Sequence, residues 1–353
     1  MNKKVFIGLS GGVDSAVAAS ILIDQGYNVT GVFLKNWSGE DYGLTSKCPW
    51  EEDLESARAV ADFLGIELKV YNFEREYREL VIEDFFKQYA LGNTPNPDVL
   101  CNKFIKFDLF LKRALDEGAD YIATGHYAGT DQKHLFKAKD SNKDQTYFLH
   151  QLTEYQLSHT IFPLGNLTKP EVRELAKKQG LPNFARKDSQ GICFVGKVDI
   201  QEFLQQKLKP KEGKIVDLET GKEVGKHNGV WFYTIGQRQG LGIGGQAKPY
   251  FVAKKDVKAN ILYAVQGKEN QLLTSDTYIV KDLHVINNSI EFSDLAGTIR
   301  YRGRQVPVTI TKKGEGYEIK FADKQWAAAV GQSIVVYSGT ICIGGGVITE
   351  IVE

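Results

Sequence analysis

Gly8-Leu9-Ser10-Gly11-Gly12-Val13-Asp14-Ser15 follows the apolar run Val5-Phe6-Ile7 and precedes Ala16-Val17-Ala18-Ala19-Ser20-Ile21-Leu22. The first run reads as a buried strand and the last as a buried helix, so the eight residues between them make a strand-to-helix turn. Small residues at such a turn let backbone N–H groups approach an anion, and the helix N-terminus adds partial positive charge. Ser10 and Ser15 contribute hydroxyls, and Asp14 suits a metal ion or a loop-orienting role. A tight glycine turn capped by Asp14 or Ser15 is the plainer alternative, yet it needs neither Gly11 nor both serines. A phosphate-binding loop is therefore expected.

Outward from this loop, residues 3–125 alternate strand and helix. Strands are expected at 28–34, 66–71 and 121–124, and helices at 51–64, 76–89 and 103–117. Leu54, Ala57, Val60, Ala61 and Leu64 have the spacing of a core-facing helix, and Gly65 closes it. Repeated units of this kind give an α/β fold, a parallel sheet with helices on both faces and ligands at the carboxyl ends of the strands. Two more helices are expected at 145–157 and 168–179, the second with Thr168 as cap, Pro170 in its first turn and Gly180 as stop. From Ile215 onward, short alternating runs are separated by Gly and Asn, among them 229–235, 297–301 and 341–351; these read as small all-β domains. Breaks fall near 204 and 273.

The chain of 353 residues has a net charge of zero, so no global basic field marks a nucleic-acid partner. Residues 205–353 nevertheless hold 20 Lys and Arg against 15 Asp and Glu, which permits RNA binding and equally suits a solvated surface. No apolar stretch approaches transmembrane length, and no signal-peptide pattern opens the chain. Cys48, Cys101, Cys193 and Cys342 are widely spaced without a C-x-x-C pair, which disfavours a zinc ribbon or a secreted disulfide framework and fits a cytoplasmic enzyme.

Asn93-Thr94-Pro95-Asn96-Pro97-Asp98-Val99-Leu100-Cys101-Asn102 is the second informative stretch. Its two prolines force an extended, rigid loop that presents Asp98 and Cys101 at fixed positions. A helix starting near Lys103 would put Cys101 at its N-terminus, beside Lys103 and Lys106, and favour the thiolate. Asp98 suits general acid or base work; an Asx-capped turn with an incidental cysteine explains the stretch equally well. Cys193 follows the polar loop Asp188-Ser189-Gln190-Gly191-Ile192 and reads by itself as a small buried residue at a strand start. Cys48 and Cys342 look inert.

The Gly8–Ser15 segment resembles the SGGxDS loop of the ATP pyrophosphatase superfamily, which implies adenylation. Over nearly its whole length the chain resembles the bacterial tRNA-specific 2-thiouridylase family. The matching segments are 8–15, 31–37, 93–101, 123–127, 143–149, 188–193 and 233–238. One departure is Leu34, where many relatives carry Met.

The resemblance implies a phosphate-loop catalytic domain over 1–204, a small mainly-β tRNA-binding domain over 205–272 and a C-terminal β-barrel over 273–353. It implies ATP and Mg2+, with Gly8, Leu9, Ser10, Gly11, Gly12, Val13, Asp14, Ser15, Leu34 and Gly125 around the nucleotide. Asn96, Pro97 and Asp98 would hold the target uridine, with Asp98 as acid or base. Cys193 would carry a persulfide and Cys101 would release its sulfur, leaving a transient Cys101–Cys193 disulfide. Contacts to the tRNA anticodon stem-loop would come from His126, Lys143, Asp144, Gln145, Arg300, Tyr301 and Gln332. A sulfur-carrier or cysteine desulfurase partner, a monomer and no membrane association complete the expectation. A phosphate-loop ligase joining an amine to an adenylated base or acid is the alternative.

Overall fold

The computed structural model describes residues 2–38, 49–187, 199–245, 247–287 and 293–352. β1 (Lys4–Gly8) lies at the centre of a five-stranded parallel sheet. On one side it pairs β2 (Asn28–Lys35), which pairs β3 (Leu68–Asn72). On the other it pairs β4 (Tyr121–Ala123). The chain then makes a small hairpin, β5 (Gly129–Thr130) and β6 (Leu135–Phe136), before β7 (Thr160–Ile161) completes the order β3-β2-β1-β4-β7.

Val5 and Ile7 enter one core, with Val17, Leu54, Val60 and Val172, while Phe6 enters another with Tyr77, Val81, Ile105 and Phe110. A strand covered on both faces is a continuous apolar run rather than an alternation. The first core lies under α1 (Val13–Asp24), α2 (Pro49–Leu64) and the helix Lys169–Gln179. That last helix has the expected ends: Thr168 makes a capping box with Glu171, and Gly180 closes it at φ 71.

Two helices differ from expectation. The segment expected from 103 begins at Pro97, runs through Pro97–Leu100 and a π-helical Cys101–Leu109, and ends with Phe110–Asp116. The stretch 145–157 breaks into Thr146–Leu149 and Glu154–Ser158, because the Thr153 hydroxyl caps Gln156 N–H and starts a new helix.

In the middle of the chain β8 (Gly213–Asp217), β9 (Glu223–His227), β10 (Tyr250–Asp256) and β11 (Ile261–Gln266) form a sheet in the order β10-β11-β8-β9. The strand expected at 229–235 is instead a 3-10 turn, Val230–Phe232. Gly229 N–H donates to His227 Nδ1 and Val230 N–H to Asn260 Oδ1, so side chains replace the ladder there.

The C-terminal strands are β12 (Thr274–Val280), β13 (His284–Val285), β14 (Leu295–Thr298), β15 (Val306–Lys313), β16 (Gly316–Trp326), β17 (Ser333–Ser338) and β18 (Ile341–Val352). Six of them close a barrel in the order β12-β16-β15-β14-β17-β18, with β18 returning to β12. The β5–β6 hairpin joins this barrel, because Phe136 and Leu135 pair Ile341 and Cys342 of β18. No helix among the described residues is long and apolar enough to cross a membrane.

Candidate active site at the switch point of the sheet

Strand order reverses between β1 and β4, and open parallel sheets bind ligands in the crevice at such a point. The loop 9–12 leaves β1 there and residues 124–126 leave β4. Their backbones are in close approach: a Cβ on Gly125 would lie 2.8 Å from Ser15 N and 3.0 Å from the Asp14 carbonyl carbon. Only glycine fits at that position.

Short-range bonds shape the 9–12 loop. Ser15 Oγ donates to Gly12 O (3.0 Å) and accepts from Ser10 N–H (3.2 Å), and the two serine hydroxyls are 3.2 Å apart. Gly11 adopts φ 75, and a Cβ there would collide with the Asp53 carbonyl oxygen. Gly11 O accepts from Ser56 Oγ (2.8 Å), Asn183 Nδ2 (2.9 Å) and Arg186 Nη1 (3.1 Å). Arg186 also pairs with Asp53, whose carboxyl pKa burial raises and the guanidinium opposes. The peptide is thereby held with its carbonyl toward these three donors. Gly12 is the N-cap of α1 and supplies no side-chain cap, and uncapped first-turn N–H groups suit an anion.

Asp14 accepts from Lys169 Nζ at 2.7 and 2.8 Å and from the Tyr127 hydroxyl at 3.0 Å. Gln145 fixes Tyr127 by a two-way bond: its N–H donates to Tyr127 O (2.9 Å), and its Oε1 accepts from Tyr127 N–H (3.0 Å). Leu34, expected near the nucleotide, is 8 % exposed and belongs to the core cluster containing Trp37 and Tyr71.

The 92–96 loop starts from the preceding helix, where Asn93 N–H donates to Gln88 O (2.9 Å), and is held further on by regions outside its own sheet. A Cβ on Gly92 would lie 2.5 Å from Val257 Cγ2, next to β10. Thr94 N–H donates to Val330 O (2.8 Å), and Gln332 Nε2 donates to Thr94 O (2.8 Å) and Pro95 O (3.4 Å). Asn96 is the extended N-cap, Pro97 opens the helix and Asp98 stands in its first turn. Cys101 therefore lies a turn inside the helix rather than at its N-terminus. Pro97, with no N–H to leave unsatisfied, suits the first helical position and moves the start forward. Cys101 is fully buried in the cluster that also holds Leu34, Trp37 and Tyr147, and Lys103 reaches Gln151 Oε1 at 3.3 Å. Cys48 and Cys193 lie outside the described residues. Cys342 is buried and burial pushes its thiol pKa up, which matches the inert reading.

The residues expected to face RNA divide into two groups. His126 is 8 % exposed, bonded through Nδ1 to Thr124 Oγ1 (2.8 Å) and set against Phe107 and Phe162. Burial, aided by nearby Lys106, holds its pKa well below 6.5, so it is neutral. Asp144 accepts from Ala138 N–H (2.9 Å) and Thr146 Oγ1 (2.7 Å). With Gln145 and Gln332, it serves the protein's own framework. Lys143 lies on a turn whose N–H donates to Asp140 O. Arg300 is exposed and donates to Trp326 O, and Tyr301 packs on Phe148 at 4.6 Å between ring centres. The strand expected through 301 ends at Thr298, so both residues are on the turn beyond it.

Sequence reading missed Asp53, Ser56, Asn183 and Arg186, which carry no local pattern. Lys169 offered a signal: a lysine at the first position of a helix opposes the macrodipole unless an anion faces it, and Asp14 does. Asn36, at the carboxyl end of β2, is buried with both amide atoms lacking a partner among the described residues; Thr94 Oγ1 and Asn102 Oδ1 are in the same condition. Such groups are rare in folded proteins and fit a polar ligand.

Three family models cover the chain: a tRNA methyl transferase HUP domain over residues 3–197, a tRNA methyl transferase PRC-barrel domain over 201–266 and an aminomethyltransferase beta-barrel domain over 275–348. The chain is 49 % identical to the tRNA-specific 2-thiouridylase MnmA of Methylobacillus flagellatus, over 99 % of both chains. It is 49 % identical to that of Nitrosomonas europaea over 99 % of both, and 46 % identical to that of Mesoplasma florum over the whole of both.

Proposed function

This chain belongs to the tRNA-specific 2-thiouridylase family, and we propose that it makes 2-thiouridine at the wobble position of tRNA by adenylating the C2 oxygen and replacing it with sulfur. One observation carries the ATP half of this reading. The 9–12 loop, with the Gly11 carbonyl tied by three donors, sets the α1 N-terminus, which has no side-chain cap, beside Gly125 at the switch point. ATP phosphates fit that N-terminus and the Ser10 and Ser15 hydroxyls, with adenine toward Leu34 and Gly125. Asp14 is the carboxylate of this loop that suits Mg2+, and Lys169 neutralises it here.

The family models carry methyl transfer in their descriptions, whereas the full-length relatives are thiouridylases. An adenylating loop and paired thiols have work in sulfur insertion and none in methyl transfer. The uridine C2 oxygen attacks the α-phosphorus and pyrophosphate leaves. Asp98, in the first turn of its helix, handles the base proton. The outer sulfur of a Cys193 persulfide then adds to C2. Cys101 attacks the inner sulfur, the S–S bond breaks with its electrons passing to the departing sulfur, and AMP leaves with the original oxygen. A Cys101–Cys193 disulfide remains, and a two-electron reductant cleaves it and returns both thiols for the next turnover. The target base must leave its stack to reach this site, which suits an unpaired anticodon-loop base. Residues 1–204, 205–272 and 273–353 serve as catalytic, RNA-binding and barrel domains of a cytoplasmic monomer fed by a sulfur-carrier or cysteine desulfurase protein.

The test supplies unmodified tRNA, Mg-ATP, a reductant and a persulfide donor, with nucleosides read by mass spectrometry and AMP measured in parallel. The native chain is expected to form 2-thiouridine and AMP. Cys193→Ser is expected to lose the product with the persulfide donor and recover it with free sulfide. AMP formation without a thionucleoside would overturn sulfur transfer and favour the amine ligase.

A further inference from the structure

The 92–96 loop and the barrel turn 330–332 meet without any strand pairing between them. Pro95 and Pro97 have no N–H, so this loop has few donors with which to hold itself. Gly92 and Asn93 are tied back to the preceding helix, by Gly92 N–H to Tyr89 O and Asn93 N–H to Gln88 O (both 2.9 Å), whereas the bonds of the next two residues come from the barrel: Thr94 N–H to Val330 O at 2.8 Å, and Gln332 Nε2 to the carbonyls of Thr94 (2.8 Å) and Pro95 (3.4 Å). Gly331 stands at φ 95, and a Cβ on it would lie 2.9 Å from Thr94 N and 3.0 Å from Thr94 C and O. Two backbones are thus in contact where a side chain has no room.

The turn itself is anchored in the barrel. Gly331 N–H donates to Ile348 O (2.9 Å), Ile348 N–H to Gln332 O (2.8 Å), and Gln332 N–H to Ala329 O (3.2 Å). β18 therefore sets the turn, the turn sets Thr94 and Pro95, and the extended Asn96 leads directly into the helix that Pro97 opens, with Asp98 in its first turn.

We propose that the barrel turn 330–332 is a positioning device for the loop that presents Asp98. Gln332 acts on the reaction by holding Thr94 and Pro95, not by reading RNA. The inference rests on the thiolation reading for its kinetic consequence and on geometry alone for its structural one.

Gln332→Ala removes the two side-chain bonds, and Gly331→Ala disturbs the same contact while deleting no group that could touch RNA. Both variants are expected to lower single-turnover thiolation about tenfold to a hundredfold, with the tRNA and ATP dissociation constants unchanged. A weakened tRNA affinity with an intact rate in Gln332→Ala would make Gln332 an RNA contact and overturn the proposal. Hydrogen–deuterium exchange of the ligand-free full chain gives the second readout. Amides of 94–101 should exchange faster in Gln332→Ala, while those of 9–16 stay as in the native chain; unchanged exchange at 94–101 would overturn the clamp. That readout needs no turnover, so a chain that failed to thiolate tRNA would sink the functional reading and still leave the clamp to be judged.

Discussion

The 9–12 loop takes its bonds from Ser56, Asn183 and Arg186, all within the part of the chain that builds the parallel sheet. The 92–96 loop is shared: Gly92 and Asn93 bond back to Tyr89 and Gln88, Gly92 also abuts Val257 beside β10, and Thr94 and Pro95 take their bonds from Val330 and Gln332 of the barrel. A nucleotide site can therefore be complete before the rest of the molecule is in order, whereas the site for the target base depends on three regions meeting correctly. In the thiolation reading, activation belongs to one fold unit and placement of the base to the joints between units.

The strongest attempt to break this contrast is Gly11→Ala. The residue stands at φ 75 and its Cβ would collide with Asp53, so the loop must move. Calorimetric titration is expected to show ATP affinity falling by about a hundredfold or more, with tRNA binding retained. Retained ATP affinity would show that the loop does not bind phosphate.

Arg186→Ala is a milder cut at the same place. It removes one of three donors to Gly11 O and the partner of Asp53. A lost charge-assisted bond costs about 1.5–3 kcal/mol, and ATP affinity is expected to fall about tenfold or somewhat more. The same titration checks it, and exchange at 94–101 should not respond.

Acid should sharpen the contrast from the other side. His150 is fully buried in the joint with the barrel: its Nδ1 lies 2.8 Å from Tyr147 O, and a Cβ on Gly345 would lie 2.9 Å from its Cδ2. Burial lowers its pKa to about 4, against about 6.5 in the unfolded chain. Above that upper value both states are neutral. Between the two values only the unfolded chain takes the proton, so stability falls as pH falls, by about 3 kcal/mol in total. Urea melts of the native chain should show this slope and His150→Gln should flatten it. An equal slope in both would place the acid sensitivity elsewhere.

How much of this was legible in sequence follows the same division. The strand–turn–helix around residues 8–15 is a contiguous stretch between two apolar runs, and the helix Lys169–Gln179 carries its cap and stop locally, so the form of both is legible. The clamp is not legible, because Gln332 and Thr94 are 238 residues apart and nothing beside Gln332 marks it as the partner of the proline loop. The β5–β6 hairpin escaped because its strands are two residues each, too short for alternation to register. Cys101 lies a turn further into its helix than a start near Lys103 implies, because Pro97 is the better first residue.

The account rests most heavily on the C2 oxygen of uridine being activated by ATP. We would measure where that oxygen goes, using tRNA carrying 18O at C2 of the wobble uridine in a single turnover with Mg-ATP and a persulfide donor. The account predicts one 18O in the phosphate of the released AMP for each 2-thiouridine formed. Label recovered in water or in pyrophosphate, with unlabelled AMP, would contradict it.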